Sequence, residues 1–289
     1  MCGDAGAATH ARRGTEGVLE LNPKTIAAMA PTMERVLVVD PAPASARLLA
    51  DLLHNIWPGQ VWNGPNTVVA LQMAQNLEPR LIFVEHTGGE VDGLEFTRQL
   101  RRSNFSCRMA PVIMVTAQAT PAVILGARDS GVHEFLRKPF TNKDLIRRLE
   151  AVTLHPRSWI EAVGYVGPDR RRFNSADYKG ARKRKVDAAA NPEQARLVQA
   201  VRIIAAAAEA LDKDPAQAER ALRTQAMELQ RLAPSFSAMG LPAIANSLTG
   251  CLNEAGRAGA IDRAELAPHV TALIGMLPKD DPAGVRTAA

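Results

Sequence analysis

Three short apolar runs, each followed by a polar residue, constrain the fold of this chain more than any other feature. Residues 35–39, 81–84 and 112–115 are rich in β-branched side chains, and they lead directly into Asp40, Glu85 and Thr116. Runs of this length and composition are typical of buried β-strands. Segments with helical periodicity separate them. The alternation predicts a parallel sheet covered by helices on both faces, a doubly wound α/β fold.

The remaining elements of this region follow from periodicity and from helix-end signals. A further short strand is predicted at 134–137, followed by Lys138, and the sheet is expected to have five strands. Gly131 is a predicted C-cap and Asn142 a predicted N-cap. Because the carboxyl ends of parallel strands meet at one edge, we expect Asp40, Glu85, Thr116 and Lys138 to lie together there. Helices are predicted at 44–56, 67–77, 93–102, 121–129 and 142–152.

Composition limits the class of protein. The hydrophobic fraction of 46% is enough for a core, and the aromatic fraction of only 4% in an alanine-rich chain favours helices over an all-β fold. No apolar run approaches the ~20 residues of a membrane span. The three cysteines lie far apart with no disulfide or metal spacing, and the N-terminus has no signal-peptide core, so we expect a cytoplasmic protein. Residues 1–33 are expected to be a partly disordered extension with a short helix at 18–30, interrupted by Pro31.

Residues 34–154 resemble the receiver domain of two-component response regulators. The chain reads Val-Val-Asp40, Phe-Val-Glu85, Met-Val-Thr116-Ala and Leu-Arg-Lys138-Pro, and Val-Asp92-Gly-Leu matches the turn after the phosphorylation loop. The resemblance covers about 120 residues, in order and in spacing. It implies a flavodoxin-like fold and a phosphorelay role.

The departures from that family concern the phosphorylation chemistry. In the family, an aspartate accepts the phosphoryl group, and two further acids help it to hold Mg²⁺. Here Glu85 stands at the acceptor position, Pro41 replaces the second acid, and Gly88-Gly89 replaces the usual Met-Pro. The extra methylene of glutamate displaces its carboxylate by roughly 1.5 Å, and a shift on the order of 1 Å can cost ~100-fold in rate. We therefore expect no metal cofactor, with Asp40 at best a weak ligand, and no conventional phosphorylation.

Two interpretations of Glu85 stay open. Its carboxylate, paired with Lys138, resembles a partial mimic of the phosphorylated aspartate, or it has drifted in a domain kept as a scaffold. Phe135 stands at the family's switch aromatic, and is equally well explained as a core residue. His86 is expected to be a surface residue without a ligand role. The resemblance places the partner-binding face at residues 123–149.

The net charge of +5 is concentrated in one segment. Residues 157–185 hold nine Lys/Arg and three acids, and residues 155–190 are predicted to be a flexible basic linker. It contains an imperfect repeat in which Tyr165 and Tyr178 are each followed by glycine and a basic cluster. Stacking and phosphate contacts would suit a nucleic acid, and Arg forks would suit an acidic protein; a protein or RNA is favoured over an anionic membrane surface, which an amphipathic helix would serve better, and a charged spacer remains an alternative. This basic arm comprises Tyr165, Arg170, Arg171, Arg172, Tyr178, Arg182, Lys183 and Arg184.

Residues 191–289 are predicted to form a small all-α domain. Helices are expected at 192–211, 215–232, 242–253 and 263–276, with Asp214 and Asp262 as N-caps. Residues 230–247 faintly resemble a histidine phosphotransfer domain, but the position of the phospho-accepting histidine falls on Gln230, and Pro234 should break that helix. An ordinary helical bundle or dimerisation element is the alternative.

Together these features predict a bacterial signalling adaptor that works by protein binding rather than as an enzyme. Its receiver face and helical domain would contact the partners, and an oligomer is compatible with the sequence. Two rivals stay open: an unconventional but phosphorylatable response regulator, and a nucleic-acid-binding regulator acting through the basic arm.

Overall fold

A computed structural model describes residues 22–170 and 192–277. Its centre is a five-stranded parallel sheet in the order β2-β1-β3-β6-β7, which confirms the predicted flavodoxin-like fold. The strands are β1 Arg35–Val39, β2 Gln60–Gly64, β3 Leu81–Glu85, β6 Val112–Thr116 and β7 Glu134–Arg137. A two-stranded ribbon, β4 Thr87–Gly88 with β5 Val91–Asp92, follows β3.

Helices cover both faces of this sheet, and alternate side chains of each strand enter different cores. On β1, Val36 and Val38 enter one core and Leu37 and Val39 the other. The first core is completed by α1, α2 and α6, and the second by α3, α4 and α5. The helices are α1 Pro23–Met33, α2 Pro43–His54, α3 Thr67–Leu77, α4 Gly93–Arg102, α5 Pro121–Ser130 and α6 Asn142–Thr153.

Helix α1 belongs to the receiver core rather than to a separate extension. Met29 and Met33 are buried in the first core, and α1 packs against α6. Pro31 was predicted to interrupt this helix. It does not, since it lies in the last turn of α1. The boundary placed at residue 34 therefore separates a helix from the core that it completes. Residues 18–21, where this helix was predicted to begin, lie outside the part of the chain that is described.

Two helix ends of the receiver region were predicted from residues that cap helices, one correctly and one displaced by a residue. Gly131 ends α5 in the left-handed conformation, as predicted. Thr141, not Asn142, caps α6, because Thr141 and Asp144 form a reciprocal capping box. Strand β2 was not located from the sequence, because Gln60–Gly64 lies at the sheet edge and has a largely half-exposed, polar pattern.

Residues 155–170 do not form a flexible linker, and this prediction was wrong. They contain an antiparallel hairpin of β8 Trp159–Glu161 and β9 Val166–Pro168. Tyr165 is 7% exposed, and its hydroxyl donates to the carbonyl of Pro168. The hairpin packs against α4 and α8. The charge of the segment gave no sign of this hairpin, because its few apolar residues become buried only where they contact α4 of the receiver and α8 of the C-terminal bundle.

The C-terminal region forms the predicted four-helix bundle. Its helices are α7 Pro192–Glu209, α8 Pro215–Leu232, α9 Leu241–Ala258 and α10 Arg263–Gly275. They close a ring in which α7 and α9 each pack against α8 and α10. Asp214 and Asp262 cap their helices as predicted. Pro234 lies in a 3₁₀ segment, Ala233–Met239, beyond the end of α8.

None of the helices within residues 22–170 and 192–277 is long and apolar enough to cross a membrane.

Candidate functional site

Three of the four predicted site residues meet at the carboxyl edge of the sheet. Asp40 follows β1, Glu85 ends β3 and Lys138 follows β7. The Lys138 ammonium donates to Glu85 Oε2 at 2.5 Å and to Asp40 Oδ2 at 3.3 Å. Its third hydrogen bond, at 3.0 Å, goes to the hydroxyl of Ser45 in the first turn of α2. Ser45 was not predicted, because nothing in its local sequence distinguishes it from an ordinary helix residue.

The electrostatics of this cluster favour a standing ion pair. The side chains of Asp40 and Glu85 are 9% and 11% exposed, against 29% for Lys138. Burial alone would lower the pKa of Lys138, but the hydrogen bonds and charges of Glu85 and Asp40 outweigh it and raise that pKa above its ordinary value. Lys138 is therefore charged at neutral pH, and all three of its donors are engaged.

Thr116 and Phe135 are buried near this cluster but do not join its hydrogen bonds. The Thr116 hydroxyl accepts from the backbone amide of Gln118 at 3.1 Å. Phe135 is 4% exposed and packs in the second core, so its side chain points inward. His86 is buried rather than on the surface, which corrects that prediction. Its backbone amide donates to Glu85 Oε1 at 3.2 Å and helps to hold the carboxylate.

The replacements at positions 41, 88 and 89 fit one another. A Cβ added at Gly88 would lie 3.2 Å from the Pro41 ring, and one at Gly89, whose φ is +53°, would also lie at 3.2 Å. A side chain at either position would press on the Pro41 ring, so the absence of side chains at Gly88 and Gly89 lets the β4–β5 turn pack closely against it. An apolar ring covered by a glycine turn occupies the place where the family has its second acid.

The residues present do not fit the Mg²⁺ that the receiver family implies. A magnesium site needs several oxygen ligands in near-octahedral arrangement. Position 41 supplies no oxygen ligand from its side chain, and both remaining carboxylates bind Lys138. Among the residues described, no group of three or more His, Cys, Asp or Glu side chains is placed to hold a metal ion.

A second charged cluster, which sequence reasoning missed, lies at the amino edge of the sheet. Arg101, 1% exposed, donates to the carbonyls of Gly131, Arg108 and Ala110 and contacts His133 Nδ1 at 3.1 Å. Burial lowers the pKa of Arg101 to about 9 and holds the pKa of His133 well below its ordinary value. The members come from distant parts of the chain, so no local pattern indicates them.

This cluster joins the receiver to the hairpin and the bundle. Glu161 on β8 accepts from Arg108 at 2.7 and 2.8 Å, from Trp159 at 3.0 Å and from Gln217 on α8 at 2.9 Å. Burial opposes ionisation of Glu161, but these hydrogen bonds outweigh it and lower the pKa of its carboxyl. Further contacts run from Arg102 to Asp214 and from Arg220 to Asn104.

The structure tests only the beginning of the predicted basic arm. Arg170 pairs with Asp129 at 3.0 Å and lies 4.4 Å above the Tyr165 ring, so these two residues belong to a folded element. The other arm residues lie outside the described part of the chain: Arg171, Arg172, Tyr178, Arg182, Lys183 and Arg184.

Comparison with known proteins places the receiver region in a family. Residues 36–150 match the family model of the response regulator receiver domain. The chain is 26% identical over 119 residues to the chemotaxis protein CheY1 of Helicobacter pylori, covering 41% of this chain and 95% of that protein. It is 30% identical over 125 residues to the DNA-binding response regulator MtrA of Mycolicibacterium smegmatis, covering 41% of this chain and half of MtrA.

The solved structures that are similar to this chain include another chemotaxis protein with the name CheY. CheY4 of Vibrio cholerae is 23% identical, with a TM-score of 0.38, and the match covers 40% of this chain and 96% of CheY4. The family model ends at residue 150, so the hairpin and the bundle lie outside its matched residues. The family model and the curated relatives identify residues 36–150 as a response regulator receiver domain, which supports a role in two-component signalling.

Proposed function

We propose that this receiver domain signals by binding protein partners without accepting a phosphoryl group, and that Glu85 substitutes for the phosphorylated aspartate. The observation that carries the proposal is the 2.5 Å contact between Lys138 Nζ and Glu85 Oε2. In a phosphorylated receiver the lysine neutralises a transferred phosphoryl oxygen. Here a carboxylate of the chain already occupies the lysine.

The surroundings of the pair support this proposal. Pro41 removes one metal ligand, and the remaining carboxylates are held by Lys138 and by the backbone amides of Ala42 and His86. Glu85 accepts from the Lys138 ammonium and from the His86 amide, so fewer of its lone pairs are open to a phosphoryl donor. The side chain of Phe135 points inward. The family resemblance associates this orientation of the switch aromatic with activation.

The partner would bind the surface formed by α5, β7 and α6, residues 123–149. Lys138 begins the loop between β7 and α6, so the ion pair fixes the end of this surface. Asp214 of the bundle pairs with Arg102 at the end of α4, and Gln217 binds Glu161 of the hairpin, so neither of these two contacts involves α5. We propose an adaptor of the bacterial cytoplasm that acts by binding rather than by catalysis.

The test is quantitative capture of partners from the native cell by the full chain. Glu85→Gln keeps the shape of the side chain and removes its charge, so binding through residues 123–149 should fall at least about tenfold, about 1.4 kcal/mol. Glu90→Gln, an exposed acid on the neighbouring β4–β5 turn, is the matched control and should bind as the wild type does. Equal capture by Glu85→Gln and the wild type would contradict the mimic role and leave the scaffold interpretation of Glu85.

A further inference from the structure

A cavity of about 440 Å³ lies beside the ion pair, between helix α2 and the sheet. Its volume falls in the range of roughly 300–1,000 Å³ that is typical of small-molecule sites. Most of the lining is aliphatic or aromatic, and the polar groups gather at one end. The principal apolar residues of the wall are Val38, Leu48, Leu52, Phe83, Val115 and Phe140.

The sequence of α2 explains why this space is not filled. Its first turn reads Pro43-Ala44-Ser45-Ala46, four residues with small side chains, directly above the ends of β1 and β3. The large side chains of the helix begin only one turn later. Among them Leu48, which lines the cavity, is 60% exposed, so a ligand there would remove apolar surface from water.

The polar end determines which ligands suit the cavity. Lys138 has no free donor, because its three N–H groups bind Asp40, Ser45 and Glu85. Two carboxylates and one ammonium give this end a net charge of −1. Each carboxylate accepts one hydrogen bond from Lys138 and one from the backbone, and about four lone-pair sites are available to each. Among the lining side chains the Ser45 hydroxyl keeps the one open donor, so this end offers mainly acceptors and repels anions.

We propose that this cavity binds a small, mainly hydrocarbon molecule whose polar end donates hydrogen bonds, as an amine or an alcohol does. The hydrocarbon part would lie against α2 and cover Leu48, while the donor group would bind the unused lone pairs of Asp40 and Glu85. Binding there would bear directly on the ion pair. The inference stands on the cavity itself and does not depend on Glu85 acting as a phosphate mimic.

The first test uses N-phenyl-1-naphthylamine, a neutral apolar probe with one N–H donor whose fluorescence rises in apolar surroundings. The full chain should show a saturable, single-site increase. 1-Anilinonaphthalene-8-sulfonate has a similar ring system and carries an anionic group, so it should bind at least about tenfold more weakly. Octylamine should displace the neutral probe, whereas octanoate, with a comparable chain and an anionic end, should not.

Cavity-filling variants locate the site. Ala44→Leu and Ser45→Leu each add a branched side chain to the lining and should weaken the probe at least about tenfold. Ala216→Leu adds the same bulk at an exposed alanine that follows a proline in the first turn of α8, outside the lining, and should leave binding unchanged. Melting curves establish that each variant folds, and the comparison of octylamine with octanoate needs only the wild type. Absence of saturable binding, unchanged binding in both filled variants, or equal displacement by octanoate would overturn the proposal.

Discussion

The two charged clusters of this molecule lie at the two edges of one sheet and differ in how their charges are satisfied. At the amino edge, Arg101 is enclosed by backbone carbonyls and His133, and the hairpin covers it. At the carboxyl edge, the Lys138 ammonium binds the side chains of Asp40, Ser45 and Glu85, and the cluster adjoins the cavity beside α2. Fixed backbone partners suit a permanent junction, whereas side-chain partners next to a cavity can respond to a ligand or to a protein.

The largest expected effect is at the amino edge. Glu161→Gln removes a carboxylate that is 2% exposed and leaves Arg108 without its ion pair. Removing one partner of a buried pair should lower the stability to unfolding by about 3 kcal/mol, measured by chemical denaturation at neutral pH. Glu219→Gln breaks an exposed pair with Arg223 and is the control, with a loss below about 1 kcal/mol. Similar losses in both variants would mean that the junction is no stronger than a surface contact.

The next effect is acid sensitivity caused by His133. Its pKa in the folded chain lies well below the ordinary 6.5, because of burial first and then the charges of Arg101 and Arg157. The stability that the neutral ring contributes is present above pH 6.5 and is lost as the pH falls below that value. Between pH 6.5 and 5 the loss should approach about 1.4 kcal/mol per pH unit.

His133→Gln should flatten this dependence, and the measurement is the unfolding free energy across that pH range. His54→Gln, which changes an exposed histidine, is the control and should keep the wild-type slope. A slope that is unchanged in His133→Gln would contradict the assignment to His133.

At the carboxyl edge the expected effect on stability is smaller. Glu85→Gln should cost only about 1 kcal/mol, because Lys138 is partly exposed and keeps Asp40 and Ser45 as partners. The pKa of Lys138 is raised in the folded chain, so the contribution of the pair is complete below about 10.5, its ordinary value, and is lost as the pH rises through the folded value. The unfolding free energies of the wild type and Glu85→Gln should therefore differ at a pH below the folded pKa of Lys138 and converge above it. A difference that persisted at higher pH would show that the charge of Lys138 is not its source.

The smallest effect is expected where the hairpin meets the solvent. Arg170→Ser removes an exposed pair with Asp129 and the contact with the Tyr165 ring, and should cost less than about 1 kcal/mol. Thermal unfolding is the measurement, with Arg98→Ser, which breaks the exposed pair with Glu95 on α4, as the control. A loss as large as that of Glu161→Gln would mean that the junction extends to the surface at Arg170.

The comparison also shows which features sequence reasoning reached. Asp40, Glu85 and Lys138 were found because each lies at the end of a predicted strand, and the topology of a parallel sheet brings strand ends together. The amino-edge cluster escaped because Arg101, His133 and Glu161 are some 30 residues apart in sequence, and each has an unremarkable local context. Tyr165 was assigned to a flexible arm because the neighbouring charge was counted and the hairpin pairing, which depends on contacts with α4 and α8, was not visible.

The most direct test of the central claim is the response of the full chain to a small phosphodonor with Mg²⁺, followed by intact mass. The wild type should gain no phosphoryl group. Glu85→Asp alone should gain little, because Pro41 still supplies no metal ligand, while Glu85→Asp combined with Pro41→Asp should restore acceptance. A wild-type protein that gains one phosphoryl group, located at Glu85, would contradict the account of this site.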